Sequence, residues 1–167
     1  TAVKEYAHIF REDPELAEKA RAVTALVKDV SEVVAELGLG EIDNKTGLRL
    51  AYHDACSLQH GQKVTRQPRE LLQQAGFEII EVPEAHLCCG SAGTYNLLQP
   101  HFAEALQQRK AANIRRTAPA AVAAGNIGCI EQIGGAIDAP VVHTVELLDW
   151  ATGGPVPAPL ASLSASP

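Results

Sequence analysis

The chain has only four cysteines, Cys56, Cys88, Cys89 and Cys129, in the pattern C-x31-CCG-x38-C. Two neighbouring side chains can serve one site only where the backbone turns sharply, and Gly90 directly after the pair supplies such a turn. Thiolates gathered from three separate segments can hold a soft metal or an iron–sulfur cluster. A disulfide scaffold is the alternative for an even number of cysteines. Such scaffolds are usually smaller and richer in cysteine, and a bond between Cys88 and Cys89 would close a strained ring. Buried free cysteines acting as small apolar residues would suit one cysteine on a strand, not four near three strand ends.

The strand ends come from the periodicity. Asp13 to Leu37 reads as one helix, with Asp13 as N-cap, Pro14 in the first turn and Gly38 as the stop. Strands are expected over 48–53, 77–82, 120–124 and 141–143. Helices are expected over 68–75, from about Ser91 to about Arg116 with an irregularity at Pro100, from Ile130, and over 144–151. Alternation of this kind implies an α/β fold: a small parallel, Rossmann-like sheet of about four strands with helices on both faces. The domain spans 1–152, and the Pro-, Ala- and Ser-rich stretch 153–167 reads as a flexible tail. Each cysteine segment then follows the carboxyl end of a strand, the edge where open α/β sheets build their sites.

Near those cysteines, Cys88-Cys89-Gly90-Ser91-Ala92-Gly93 leads into the long helix, whose first N–H groups would favour an anionic cluster. His53 and Asp54 close the first strand, where they either hydrogen-bond the site or anchor its loop. His60 and His86 are loop histidines, either solvated or close enough to support the site. Arg109, Lys110, Arg115 and Arg116 read as a solvated helix face, or more weakly as a docking patch for a partner subunit. The glycines at 125, 128, 134 and 135 match neither a P-loop nor a dinucleotide fingerprint. No G-x-S-x-G elbow occurs. A net charge of -6 argues against a nucleic-acid surface. No apolar stretch is long enough to span a bilayer, and no signal peptide is evident. The chain opens on Thr1 and contains no Met, which suggests a fragment or a processed protein.

Tyr52-His53-Asp54-Ala55-Cys56, Cys88-Cys89-Gly90 and Gly128-Cys129 resemble the cysteine-rich CCG domain of heterodisulfide reductases and of dehydrogenase iron–sulfur subunits. The stretch 125–129, with Pro140-Val141-Val142-His143 and Glu146-Leu147-Leu148, is most similar to the glycolate oxidase (glycolate dehydrogenase) iron–sulfur subunit family. The resemblance covers about residues 1–152 and implies that this is the C-terminal CCG domain of such a subunit. It implies an electron-transfer role, with Cys56, Cys88, Cys89 and Cys129 holding a 4Fe-4S cluster, or Zn2+ at the former cluster position. It also implies an FAD-containing glycolate-oxidising partner subunit and a cytoplasmic location, peripheral to the membrane through the complex. The fuller family motif ends in CxxC, whereas Gln132 stands at the last position here. Four cysteines do not supply the five that the noncubane cluster of heterodisulfide reductases uses. Gln132 and Gly90 are candidate supporting residues, Gln132 through its side-chain oxygen. Two rivals remain: a structural zinc module that docks subunits, and a thiol/disulfide catalyst. The first predicts a colourless protein and the second a thiol of lowered pKa.

Overall fold

The computed structural model describes residues 1–161. Four strands, β1 (Arg49–His53), β2 (Glu78–Ile80), β3 (Ala121–Ala124) and β4 (Val141–His143), form one sheet in the order β2-β1-β3-β4. All three pairings are parallel. The chain leaves β1 to one side for β2 and later returns to the other side as β3. The carboxyl ends of β1 and β3 therefore flank the point where strand order reverses, where such sheets leave a crevice.

Side-chain alternation divides the core in two. Leu50, Tyr52, Ala121 and Ala123 face Leu71, Leu72, Leu147 and Leu148 of α4 (Gln67–Gln74) and α8 (Thr144–Ala151). Ala51, Val122 and Ala124 face Ile114 of α6 (Pro100–Arg116) and Ile133 of α7 (Ile127–Gly134). Each fully buried Leu or Ile in these layers contributes about 1.5–3 kcal/mol of transfer free energy. Cys89 and Cys129 belong to the second layer, so the thiol site lies on the α6–α7 side of the sheet.

The expected helix over 13–37 is two helices, α2 (Ala17–Leu26) and α3 (Val30–Leu37), preceded by α1 (Tyr6–Ile9). Val27 is extended, and Asp29 starts α3 with a reciprocal capping box. The Ser31 N–H donates to Asp29 Oδ1 at 3.0 Å, while the Asp29 N–H donates to Glu32 Oε2 at 2.8 Å. This local closure outcompetes helix continuation. The expected helix from Ser91 is also corrected. Ala92 and Gly93 have positive φ, and a short α5 (Tyr95–Leu98) precedes α6. Pro100 is the first residue of α6 and holds Gln99 out of helical geometry, at φ -133 and ψ 59. The strand expected over 77–82 is shorter, and α7 begins at Ile127, three residues earlier than Ile130.

The ordered fold also passes the expected boundary at 152. Residues 153–161 turn back along the domain, and Leu160 sits in the α4–α8 layer at 1% exposure. The rest of the expected tail, 162–167, lies outside the described residues.

Candidate metal centre

Cys56 stands just past β1, at the head of a single π-type turn over Ser57–Gln62. Cys88 and Cys89 follow the loop that leaves β2, and Cys129 lies in the first turn of α7, after β3. The structure brings Cys89 and Cys129 into contact, and it places Cys56 and Cys88 near enough for Cys88 to influence the protonation of both Cys56 and Cys89. Cys89 Sγ lies 3.2 Å from Cys129 Sγ. All four are free thiols, Cys89 and Cys129 buried, Cys56 and Cys88 half-buried.

The pair of adjacent cysteines depends on its glycine. Gly90 has φ +95, and a Cβ built there would collide with the carbonyl oxygen of Ala103. Only glycine meets both demands. The Gly90 N–H donates to Cys88 Sγ at 3.3 Å. Helix-start stabilisation, expected at Ser91, is found at Cys129 instead. Asn126 caps α7, and its Oδ1 accepts from the Cys129 N–H at 3.2 Å. Cys129 therefore stands in the capped first turn of α7.

The loop into Cys88 is clamped to α6 by residues whose role the sequence reading did not assign. Lys110 was read as part of a solvated face, yet it is 1% exposed. Its Nζ donates to the carbonyl oxygens of Glu84 at 3.1 Å and Ala85 at 3.3 Å. The Glu84 carboxylate pairs with Arg109 and accepts from Asn113 Nδ2 at 2.9 Å. Burial pulls the Lys110 pKa down, and the nearby thiols Cys56, Cys89 and Cys88 oppose that. A buried ammonium group beside four thiols complements an anionic centre.

Three of the thiols are held protonated. Burial, then Cys88, pushes the Cys56 pKa up. The Cys88 pKa is raised by its hydrogen bond to Cys89 and by burial. Cys89 is pushed up to about 11, chiefly by its hydrogen bond to Cys129. A thiol catalyst needs a lowered pKa, so these three are poorly suited to attack a disulfide substrate. Metal binding reverses this by displacing the thiol protons.

His53 and Asp54 take opposite roles. Asp54, 3% exposed, is gripped by Arg69 through two 2.5 Å hydrogen bonds, and Arg69 also stacks 4.7 Å over the Tyr52 ring. This anchors the loop on the α4 side and does not reach the thiols. His53, 2% exposed, faces them: its ring and the sulfurs of Cys89 and Cys129 offer ligand atoms all within 4.8 Å of one another. Neither ring nitrogen of His53 has a hydrogen-bond partner among the described residues. Burial, then Lys110, lowers its pKa to about 4, so the imidazole is neutral.

Other expected neighbours lie apart. His60 and His86 are exposed, linked by a 3.4 Å contact from the His60 ring to the His86 carbonyl. The Gln132 side chain packs beneath Gly90, and its backbone carbonyl accepts from Gln107. On the other side of the sheet, a mostly apolar cavity of about 370 Å³ is lined by Val34, Tyr52, Leu148 and Thr144.

Four cysteines and an unpartnered imidazole at the reversal point of a parallel sheet define a cysteine-rich α/β domain. The residues present suit a metal or cluster: thiolates are the ligands of iron–sulfur clusters and, with imidazole, of zinc. The family model of the CCG cysteine-rich domain matches residues 50–134, and the chain belongs to that family. It is 36% identical to the glycolate oxidase iron-sulfur subunit of Escherichia coli (strain K12), over 89% of this chain and 37% of that one. It is 32% identical to the probable glycolate oxidase iron-sulfur subunit of Bacillus subtilis (strain 168), over 89% of this chain and 36% of that one. Lactate utilization protein A of Oceanobacillus iheyensis is 30% identical, over 88% of this chain and 63% of that one. The chain thus spans between about a third and just under two thirds of these relatives. No helix among the described residues is long and apolar enough to cross a membrane.

Proposed function

We propose that this domain is an electron-transfer module of a complex that oxidises glycolate or a related 2-hydroxy acid. It holds a 4Fe-4S cluster through Cys56, Cys88, Cys89 and Cys129. The observation that carries this reading is the contact of the Cys89 and Cys129 sulfurs, 3.2 Å apart, with Cys56 and Cys88 on the neighbouring segments past β1 and β2. When bound, the cluster would accept and release single electrons. The chain's own residues would set its environment. Cys89 and Cys129 exclude water by burial, the Gly90 N–H donates to the Cys88 sulfur, and Lys110 offsets negative charge.

Oxidation of the hydroxy acid itself belongs to a partner, an FAD-containing subunit at the cytoplasmic side of the membrane. Exposed apolar side chains suited to docking that partner stand on α5 and α6, Leu97 at 77%, Leu98 at 71% and Phe102 at 64% exposure, and on α7 beside Cys129, Ile127 at 69%.

The test is metal and sulfide analysis with a visible spectrum, on protein purified without oxygen and reconstituted with iron and sulfide. Iron and sulfide in 4Fe-4S stoichiometry with broad visible absorption is the expected result, lost in Cys129→Ser. One zinc and no colour would make the domain a structural module, and an unchanged metal content in Cys129→Ser would overturn the four-thiol ligand set.

A further inference from the structure

The four-thiol reading leaves His53 without a task, and its surroundings say it has one. A buried imidazole normally binds through its nitrogens, because a polar atom left unpaired in the interior has given up its water for nothing. His53 leaves both unpaired. Each neighbour that might have served is committed elsewhere. Asp54, next in sequence, is taken by Arg69. The Lys110 ammonium, bound to the Glu84 and Ala85 carbonyls, can only donate, and to a neutral ring it offers at most one bond. The sheet leaves His53 no choice of direction: it pairs with Ala124 at the carboxyl end of β1, on the face that also carries Cys89 and Cys129.

We propose that His53 is itself a ligand, giving the centre a mixed sulfur–nitrogen donor set that includes Cys89 and Cys129. This deepens the metal-centre reading and rests on it. A ring nitrogen of His53 and the two sulfurs lie within 4.8 Å of one another, so all three face the same centre. The position Gln132 occupies, where the fuller motif has a cysteine, does not need refilling from α7, because a donor arrives from β1 instead. Imidazole in place of thiolate also raises the potential of an iron–sulfur centre, as replacement of two cysteines by histidine does in Rieske sites.

The experiment uses the full 167-residue chain. It is labelled with histidine carrying 15N in the ring, reconstituted anaerobically with iron and sulfide, reduced, and studied by pulsed EPR. The expected result is one strongly coupled 15N nucleus. His53→Cys should keep the iron content, lose that coupling and give a lower reduction potential. Circular dichroism of the metal-free variant separates loss of a ligand from loss of the fold, and His53→Gln serves if the cysteine variant fails to fold. A centre with no histidine coupling, or one whose coupling survives in both variants, overturns the His53 assignment and leaves the thiol reading standing. A wild-type chain that takes up no centre overturns both.

Discussion

Two adjacent residues at the end of β1 meet opposite fates. His53 and Asp54 are 2% and 3% exposed, yet Asp54 has two short hydrogen bonds from Arg69 and His53 has none. The Asp54 side is a closed electrostatic joint: a carboxylate, a guanidinium and an aromatic face, complete within the chain. The His53 side has donors in surplus, an imidazole and four thiols with no cation among them except Lys110. One side is finished by folding, and the other is the side on which the proposed centre would be built, so the two stand on opposite faces of one strand end.

Breaking the finished side should have the largest effect. Arg69→Met leaves a buried carboxylate unpaired and should cost about 3–5 kcal/mol, read as a lower urea midpoint. A loss below about 1 kcal/mol would mean that Asp54 is solvated in solution. Gly90→Ala comes next. Positive φ strains alanine by about 1–3 kcal/mol, and the collision with the Ala103 carbonyl must shift the cysteine turn or α6. Metal content should fall more steeply than thermal stability, and equal falls would make Gly90 a purely structural glycine.

The unfinished side predicts the reverse sign. His53→Leu removes two unpaired buried nitrogens, so the metal-free protein should gain about 1–3 kcal/mol while losing metal affinity. A destabilised metal-free variant would show that His53 is already satisfied without a ligand. Lys110→Met preserves length but withdraws a cation from the thiols. The reconstituted centre should then become harder to reduce, seen in a redox titration, and an unmoved potential would reduce Lys110 to a strut for the loop. Smallest is Glu84→Gln. The Arg109 guanidinium and the Asn113 amide hold the Glu84 pKa down to about 2, below its ordinary 4.5. Its contribution is present above pH 4.5 and fades as pH falls towards 2. The stability gap between wild type and variant should close over that interval, and a gap independent of pH would remove the ion pair from the account.

The sheet was legible because its strands are short apolar runs with helical segments between them, and the cysteines followed because each lies just beyond such a run. What stayed hidden was contact across sequence distance. Lys110 looked like one charge in a basic run, and nothing local says that carbonyls of Glu84 and Ala85 will cover it. Arg69 and Asp54 are 15 residues apart with no periodicity to link them. Leu160 and Pro157 are buried anchors inside a stretch whose composition reads as disorder. The break between α2 and α3 was available in Asp29-Val30-Ser31-Glu32, a capping box overlooked because the apolar spacing ran on through it. Likewise, Pro100 marked a new helix start, and it was taken as an irregularity inside a longer helix.

The central strand β3 is Ala121-Val122-Ala123-Ala124, every residue at 0% exposure. Three alanines in four let the helical layers approach closely from both sides, leaving no slack to absorb a larger side chain. In a saturation library this strand should therefore tolerate shrinkage better than growth, so that Val122→Ala survives where Ala123→Leu does not. Lineages of this domain are then free to vary their surface helices while the tetrapeptide drifts only among small residues, a tight waist through which the sequence history of the fold must pass.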